Sequence, residues 1–397
     1  MPLPALKLKK NEERRLRSGH LWVYSNEIDT GATPLTHFEA GTMVLLQDYH
    51  GHALGTAYVN PHTLICARLV SRDPQYTLDK SLLVHRLNIA LSLRETLFDR
   101  PFYRLVHGEG DGLPGLVVDR FDTVVVAQIT TAGMERHKAD IVAALDKVLR
   151  PHVIVLRNDT PAREMEGLEG YVETALGTPP AAVAVEENGA HFEVDVLGGQ
   201  KTGWFFDHRM NRARMQRYVK GRRVLDIFSY VGGWGLEALV ADAAEVMCIE
   251  ASKPAVDRIH HNAALNGVEE RLATLEGDAF EALKSLRAER EHFDVVIADP
   301  PAFIKRKKDF KEGFIAYQRL NQMAMQVLAK DGMLISASCS FHLGREQLLD
   351  TVQKASRHVD RQAQIVEQGH QGPDHPVHPA IPETDYLKAL FVRVLRN

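Results

Sequence analysis

The alternation of strand-like and helix-like segments from about Val219 onward is the feature that most constrains the fold. Five short apolar runs, RRVLDIF, EVMCIE, ATLEGD, FDVVIADP and GMLISASCS, are separated by segments with apolar residues at helical spacing. Short connections between such elements require right-handed crossovers, which produce a parallel sheet with helices on both faces. The sequence therefore predicts an α/β domain in this part of the chain.

Two further strand-like segments, RQAQIVEQ and DYLKALFVRVL, follow this region. Their link, GHQGPDHPVHPAIPET, has no clear helical pattern, so the pair is predicted to form an antiparallel hairpin. A parallel sheet that ends in an antiparallel strand is typical of the methyltransferase version of the α/β fold.

The preceding part of the chain divides into two regions by its pattern. Up to about Asp73, short apolar runs broken by HGH and NPH indicate a small barrel or sheet. From Gln75 a helix, two strands around a Gly/Pro turn, an amphipathic helix and another strand indicate an α+β domain, and GTPPAAVAVEENGA indicates a strand–loop connection. We therefore predict domains at 1–73, 75–190 and 191–397.

Composition restricts the class of protein without naming a function. The chain has 397 residues, 45% hydrophobic and 25% charged, with a net charge of -4, so any RNA-binding surface has to be local. The N-terminal segment has no apolar core like that of a signal peptide, and no apolar run is long enough to cross a bilayer. We therefore expect a cytoplasmic protein.

Cysteine and histidine spacing gives no sign of a disulfide framework or a metal site. Cys66, Cys248 and Cys339 are widely scattered, and the histidines at 370, 375 and 378 lack carboxylate or cysteine partners at ligand spacing. We expect no metal ion.

Acidic residues follow four successive predicted strands. Asp226 precedes the glycine-rich stretch FSYVGGWG, while Glu250, Asp278 and Asp299 follow the next three strands along the chain. The carboxyl ends of parallel strands form the edge where such folds bind ligands, and a carboxylate after the second strand can accept the ribose hydroxyls of an adenosine-containing ligand. Singly, each acid is better explained as a helix N-cap, but capping does not explain four in register. The alternative interpretation is an enzyme that binds a nicotinamide dinucleotide, although the spacing GGxG differs from the GxGxxG motif of such enzymes.

Two features further along this edge indicate chemistry on a nucleobase. The turn DPPAF at 299–303 places a carboxylate beside an aromatic ring, and Cys339 follows the fifth strand between two serines. A lone cysteine is usually a small buried hydrophobe, but a thiolate that adds to carbon 6 of cytosine makes carbon 5 nucleophilic toward a sulfonium methyl group. Asp299 could hold the ring nitrogen and the exocyclic amine during addition. Adenine-amine methyltransferases place the aromatic directly after the prolines, whereas Ala302 intervenes here, so cytosine is favoured.

Basic residues form local groups that suit contact with phosphates. Lys9, Arg14 and Arg17 precede Trp22 and Tyr24, although composition alone favours a solvated charged face. The segment IKRKKDFK contains Lys305, Arg306 and Lys307, for which a phosphate clamp and a solvated loop are equally good interpretations. The stretch GGQKTGWFFDHRMNR contains Lys201, Phe206 and Arg209, which could cover the cofactor or the target base.

The residues described so far resemble the ribosomal RNA large-subunit methyltransferase I group of cytosine carbon-5 methyltransferases. The matching stretches cover nearly the whole chain in order: LRSGHLWVYSNEI, HGEGDGLPGLVVDRF, QKTGWFFDHRMNR, VLDIFSYVGGWG, DPPAF, SCS, DHPV and DYLKALFVRV. The resemblance implies an N-terminal β-barrel PUA domain that binds RNA, a central α+β domain and a C-terminal Rossmann-like class I methyltransferase domain. It also implies S-adenosylmethionine as methyl donor and a cytosine in 23S rRNA, free or in a large-subunit precursor, as target.

The resemblance also implies roles for Cys339 and for the four strand-end acids, and the sequence patterns described above add further candidates. Cys339 would be the nucleophile, with Asp299 as its catalytic partner. The residues expected to bind the cofactor are Asp226, Phe228, Tyr230, Gly232, Gly233, Glu250, Asp278, Asp299, Phe206 and Arg209. Those expected to contact RNA are Lys9, Arg14, Arg17, Lys201, Lys305, Arg306 and Lys307. One departure is Ala302, where the family often has lysine. Either Lys305 assumes the role of that lysine, or the target nucleotide differs.

Two other functions stay open at this point. The first is an adenine-amine or guanine-N7 methyltransferase that uses the Asp-Pro-Pro turn, although related guanine-N7 enzymes lack the Ser-Cys-Ser cysteine. The second is a non-catalytic RNA-binding assembly factor, which the intact pocket acids make the weakest of the three. A homodimer also stays open, since the sequence shows no interface signature.

Overall fold

The N-terminal region forms a five-stranded sheet around a small apolar core. The computed structural model describes residues 2–396 of the chain. Strand order is β1-β3-β4-β5-β2, and core side chains such as Leu6, Val44 and Leu69 are almost fully buried. The apolar runs predicted as strands here form β3, β4 and β5. The elements are β1 (Ala5–Lys7), α1 (Glu13–Arg17), β2 (Trp22–Val23), β3 (Thr42–Gln47), β4 (Ala53–Val59) and β5 (Ala67–Ser71).

The next region forms a second five-stranded sheet, of order β10-β9-β8-β7-β6. Where the sequence suggested two strands around the Gly/Pro turn, the structure has three, because Asp122 adopts a left-handed φ of 55° and reverses the chain between β7 and β8. The elements are α2 (Lys80–Leu97), β6 (Phe102–His107), β7 (Leu116–Phe121), β8 (Val124–Ile129), α3 (Ala132–Arg136), α4 (Lys138–Leu149), β9 (Val153–Asn158), α5 (Pro161–Met165) and β10 (Tyr171–Leu176).

The segment expected to be a strand–loop connection is a β-hairpin, β11 (Val183–Glu187) and β12 (Ala190–Val194). Asn188 and Gly189 form its turn with φ values of 50° and 88°. Two successive positive φ values are the geometry that a two-residue hairpin turn requires, and Asn-Gly adopts it readily. The segment thus contains the expected connection and strand, but the sequence analysis did not predict the hairpin.

The C-terminal region contains a seven-stranded sheet of order β15-β14-β13-β16-β17-β19-β18. β13 to β17 are parallel, and β19 is antiparallel to both β17 and β18, which confirms the predicted hairpin and antiparallel strand. The elements are α6 (Arg209–Met215), β13 (Arg223–Ile227), α7 (Gly233–Val240), β14 (Glu245–Glu250), α8 (Lys253–Leu265), β15 (Leu272–Glu276), α9 (Ala279–Ala288), β16 (Phe293–Ala298), α10 (Phe310–Gln326), β17 (Leu328–Ser338), α11 (Arg345–His358), β18 (Arg361–His370) and β19 (Lys388–Arg396).

Helices cover both faces of this sheet. Ile249 of β14 packs in a core formed with α9, α10 and α11. Cys248, the residue before it, and Val246, two residues before Cys248, lie against Gly235 of α7. Because successive side chains of a strand point to opposite faces, α7 and the three later helices lie on opposite sides.

The chain folds into two compact units. The first contains the residues up to Val183 together with 195–206 and 373–384, and the second contains 184–194, 207–372 and the residues from Asp385 onward. The first unit thus takes up two stretches that we assigned to the third domain, and the domain boundaries themselves stay a prediction. Within 2–396, no helix is both long and apolar enough to cross a membrane.

A buried ionic cluster joins the hairpin to two helices of the second unit. Arg212 of α6 forms ion pairs with Glu187 of β11 and Glu237 of α7, and all three side chains are at most 4% exposed. Burial raises the pKa of Glu237 well above its ordinary value; Glu187 adds to this effect, and Arg212 opposes it. Arg212 therefore compensates two carboxylates that would otherwise repel each other in the interior.

Removing this cation is expected to destabilise the protein. Arg212→Met leaves the buried Glu237 without its cation and leaves Glu187 with Arg209 alone. Loss of one member of a buried ion pair costs about 3–5 kcal/mol. The matched control is Arg393→Met, because the pair that Arg393 forms with Asp331 is about half exposed; its loss should cost about 0–1 kcal/mol. Urea denaturation measures both values. Similar losses in the two variants would contradict this account of the cluster.

Candidate active site

The loop after β13 is held in an unusual backbone conformation. Phe228 and Tyr230 adopt left-handed φ values of 65° and 51°, and Gly232 has a φ of 89°. Positive φ is costly for aromatic residues, so such a loop persists only where its surroundings fix it. Here the Ser229 hydroxyl donates to the carbonyl of Asp226 at 2.8 Å, and the Tyr230 N–H donates to Glu250 at 2.8 Å. Strained, over-determined loops of this kind are concentrated at ligand sites.

Asp226 lies beneath this loop with one oxygen unpaired. Its Oδ2 accepts the N–H of Gly235 at 3.0 Å, while its Oδ1 is buried and has no hydrogen-bond partner among residues 2–396. Burial raises the pKa of Asp226 to about 7, and the charges of Asp299 and Glu250 contribute. A cationic donor on a ligand would satisfy the unpaired oxygen and favour the ionised form.

Gly235 permits this arrangement because it has no side chain. A Cβ atom there would lie 2.7 Å from the sulfur of Cys248 and 3.1 Å from Val246. The glycine therefore lets α7 approach β14 closely enough for its first turn to contact Asp226. This residue was quoted in the sequence motif, but its packing role depends on a neighbouring strand.

Glu250 and Asp278 lie at the ends of the next two strands. Glu250 accepts the N–H groups of Tyr230 and Ser252 at 2.8 and 2.9 Å, so it connects the glycine loop to the segment after β14. Asp278 caps α9 through Oδ1, which accepts from Phe280 and Glu281 at 2.9 and 3.1 Å. The helix-cap interpretation therefore holds for Asp278, whose side chain is also exposed and open to a ligand.

Asp299 follows β16 and lies between two side chains that the sequence analysis missed. Trp234 Nε1 donates to its Oδ2 at 3.0 Å, and His208 Nε2 lies 3.2 Å from its Oδ1. Burial alone raises the pKa of Asp299, but the interactions with His208 and Trp234 outweigh it and hold the pKa below the ordinary value. Asp299 is therefore an ionised hydrogen-bond acceptor. His208 directly precedes Arg209 in the stretch GGQKTGWFFDHRMNR, and nothing in its spacing distinguished it.

The Ser-Cys-Ser turn follows β17 and exposes only its middle residue. Ser338 and Ser340 are at most 1% exposed, whereas Cys339 is half-buried. The hydroxyl of Tyr317 on α10 accepts from Ser338 at 2.9 Å and shares a hydrogen bond with Ser340 at 2.8 Å. Ser340 also accepts the N–H of Ile304 at 3.3 Å. Tyr317, also missed from the sequence, thereby connects the cysteine turn to the loop that follows Asp299.

Aromatic rings from three further segments meet beside this connection. The ring of Phe303 lies 4.8 Å from that of Tyr317 and 6.4 Å from those of Phe228 and Phe280. Phe228 and Phe303 lie in the loops after β13 and β16, and Phe280 lies in the first turn of α9, which follows β15. The edge that carries the acids therefore also carries an apolar surface. Such a surface suits a flat ring, either adenine or a target base.

Other residues proposed for the cofactor lie in different surroundings. In the first unit, Phe206 is buried with its ring 5.3 Å from that of Phe121, and Lys201 Nζ lies 4.3 Å from the centre of the Phe205 ring. In the second unit, Arg209 forms an ion pair with Glu187 at 3.2 Å. Roles for Lys201, Phe206 and Arg209 in binding stay predictions.

The basic residues proposed for RNA lie on the surface. Lys9 and Arg14 make exposed hydrogen bonds to Asn26 and Asn11, and Arg17 pairs with Asp48 at 3.1 Å. Residues 305–308 form an exposed basic run after the DPPAF turn, and Arg306 pairs with Asp309 at 3.1 Å. Both groups are accessible, and their contact with RNA stays a prediction.

Comparison with known proteins identifies the family. A family model described as S-adenosylmethionine-dependent methyltransferase matches residues 166–393, and a PUA-like domain model matches 6–72. The ribosomal RNA large subunit methyltransferase I of Vibrio cholerae is 36% identical over 99% of this chain and all of its own length. This chain belongs to the ribosomal RNA large subunit methyltransferase I family. The Erwinia tasmaniensis member is also 36% identical, over 98% of both chains.

Solved structures confirm the fold for this member of the methyltransferase I family. A Streptococcus mutans protein assigned as a SAM-dependent methyltransferase superposes with a TM-score of 0.82 at 19% identity, covering 98% of this chain and all of that one. Another protein, assigned as a methyltransferase and complexed with SAH, gives a TM-score of 0.84 with the same identity and coverage.

The cofactor of the methyltransferase I family is S-adenosylmethionine, and the residues present fit it. The unpaired Oδ1 of Asp226 suits the ammonium group of the methionine moiety, Glu250 suits the ribose hydroxyls, and Asp278 with Phe280 suits the adenine. When bound, the cofactor supplies an electrophilic methyl group on its sulfonium. The assignment of each residue to a part of the cofactor is a prediction.

Ionisation of the buried Asp226 is expected to lower the folding stability and to strengthen binding of the cofactor. Because its folded pKa of about 7 exceeds the unfolded value of 3.8, the folded protein holds this proton more tightly, and stability falls as pH rises between these values. Asp226→Asn should therefore raise the melting temperature of the cofactor-free protein at about pH 8, with a smaller gain at about pH 5 and little gain at about pH 3. The same variant should weaken S-adenosylmethionine binding at least about tenfold by calorimetry. Unchanged affinity would refute this role for Asp226.

Proposed function

We propose that this protein methylates carbon 5 of a cytosine in 23S rRNA, with Cys339 as the nucleophile. The observation that carries the proposal is the position of Cys339, the partly exposed residue of the turn that Tyr317 joins to the Asp299 loop. Since β16 and β17 are adjacent and parallel, their carboxyl ends bring the thiol and the carboxylate to one edge of the sheet. The names of the curated relatives support ribosomal RNA of the large subunit as the substrate.

The arrangement suggests different chemical roles for Cys339 and Asp299, as nucleophile and as hydrogen-bond acceptor. The thiolate of Cys339 adds to carbon 6, which forms a carbon–sulfur bond and makes carbon 5 an enamine-type nucleophile toward the methyl group. The carbon-5 proton then leaves to a base, and the carbon–sulfur bond breaks to restore the ring and the thiolate. Asp299, whose pKa is held low, accepts hydrogen bonds from the exocyclic amine of the base. A thiol serves this reaction only if it is accessible and ionised.

Other cysteines are poor candidates for this role. Cys66 and Cys248 are fully buried, and burial raises the pKa of Cys66 to about 12 and that of Cys248 well above its ordinary value. Neither thiol is accessible to a base. Cys339 is thus the cysteine that combines exposure with the strand edge.

The nucleophile is tested by mapping modified bases in rRNA. In cells lacking the gene, bisulfite sequencing of 23S rRNA should show loss of one 5-methylcytosine, which the wild-type gene restores. Cys339→Ala should restore none of it, whereas Cys66→Ala should restore it. Persistence of every 5-methylcytosine in the deletion strain would refute the substrate. A Cys339→Ala copy that restores methylation, with Asp299→Ala inactive, would instead support an adenine or guanine methyltransferase.

The exposed run at 305–308 is tested through the salt dependence of RNA binding. The double variant Lys305→Ser with Lys307→Ser should weaken binding to an rRNA fragment and reduce the magnitude of the slope of log K against log salt by about 1–2. The reason is that fewer counterions are released from the RNA when fewer phosphates are contacted. Lys284→Ser is the control, since Lys284 is an exposed lysine of α9 paired with Glu281. Equal slopes for the wild type and the double variant would show that the run is only a solvated loop.

A further inference from the structure

A buried lysine lies beside the Ser-Cys-Ser turn. Lys388 begins β19, and the antiparallel register places it opposite Ser338, the last residue of β17. The residue is 5% exposed, and its Nζ donates to the carbonyls of Ser340 at 2.7 Å and Tyr386 at 2.8 Å. Since its backbone pairs with Ser338 and its amine reaches Ser340, the side chain passes alongside Cys339.

This ammonium has no ion-pair partner among residues 2–396. A buried charge is normally paired, because removing it from water without a partner is strongly unfavourable. An ammonium has three donors, and the two carbonyls use two of them, so one remains for another acceptor. Cys339 interacts electrostatically with Lys388, and this interaction favours the charged amine. A thiolate at Cys339 would be the missing anionic partner.

Other charged and titratable groups surround this pair. Asp385 precedes β19 and Arg345 begins α11, with opposite effects on Lys388. His370 lies opposite Lys388 in the β18 register and contacts the Gln371 carbonyl, and Tyr317 faces the turn from α10. Burial lowers the pKa of Lys388 to about 8, so the amine is still mostly charged at neutral pH. Among these groups, Lys388 is the cation whose amine is bonded to the turn itself.

We propose that Lys388 is a positioning residue that stabilises the thiolate of Cys339 and fixes the Ser-Cys-Ser turn. This inference rests on the proposed function in one respect, the use of Cys339 as nucleophile. The amine acts in two ways: its hydrogen bond to the Ser340 carbonyl sets the direction of the turn, and its positive charge favours ionisation of the thiol. The lysine thereby supplies the positive surroundings that a reactive cysteine needs.

The test measures ionisation of Cys339 without RNA or cofactor. The intact protein is treated with iodoacetamide across a pH series, and mass spectrometry follows alkylation of the peptide that contains Cys339. Lys388→Gln removes the charge but keeps amide donors, while Lys388→Arg keeps the charge. Lys354→Gln makes the same chemical change at an exposed position of α11.

We expect the midpoint for Cys339 to lie below the ordinary thiol value of about 8.5 in the wild type, in Lys388→Arg and in Lys354→Gln. In Lys388→Gln it should rise by about one unit, so that alkylation near neutral pH slows about tenfold. Methyl transfer in this variant should fall at neutral pH and recover at higher pH. A purely structural lysine would instead lower the rate at every pH without moving the midpoint.

Some results would overturn the role of Lys388 and leave the proposed function intact, and others would do the reverse. Equal midpoints in folded wild type and Lys388→Gln, with matching thermal unfolding, would overturn the role of Lys388 while leaving Cys339 as nucleophile. A shifted midpoint together with full methylation by Cys339→Ala would overturn the nucleophile and keep the pairing of lysine and thiolate. If Lys388→Gln does not fold, a midpoint in Lys388→Arg above the ordinary thiol value overturns the inference, and one below it supports it.

Discussion

In the second unit, backbone hydrogen bonds hold β13, β14, β16 and β17 in parallel register, so these strands end at one edge of the sheet. Asp226, Glu250, Asp299 and Cys339 all lie at or just after these ends. Parallel strands need crossover connections, which separate these residues widely along the chain while bringing their positions together in space. The proposed cofactor site and the proposed nucleophile therefore depend on the same pairing, and a change of strand order would disperse both.

Two carboxylates at this edge have opposite pKa shifts because their neighbours differ. Asp226 is buried with one oxygen unpaired, and burial raises its pKa to about 7, whereas the interactions with His208 and Trp234 hold the pKa of Asp299 low. Environments that separate the pKa values of nearby acids are a feature of binding and catalytic sites. The first acid suits a cationic ligand group, and the second suits donors on a base. Lys388 would extend this pattern by pairing a buried cation with the thiol.

Hydrophobic periodicity predicted much of the fold, and the predictions that failed concerned short local segments. The strand–helix alternation and the final hairpin were confirmed, because these patterns reflect burial of whole elements. The extra reversal at Asp122 and the Asn188–Gly189 hairpin were missed, since each depends on only one or two residues with a positive φ. Among site residues, strand-end acids were visible in the sequence, but Tyr317, His208 and Lys388 were not, because their partners lie far away along the chain.

The sequence by itself determined the order of strands and helices, the acids at the strand ends, the glycine loop and the Ser-Cys-Ser motif. These properties are local, since they depend on neighbours within a few residues. Only the tertiary structure decided which of those groups are paired, capped or left unsatisfied. Asp278 proved to cap a helix, Asp226 kept an unpaired oxygen, and Lys388 was placed beside Cys339 by an antiparallel strand that lies 49 residues later in the chain. Burial and charge at a site arise from contacts between distant segments, and those contacts exist only once the sheet has formed.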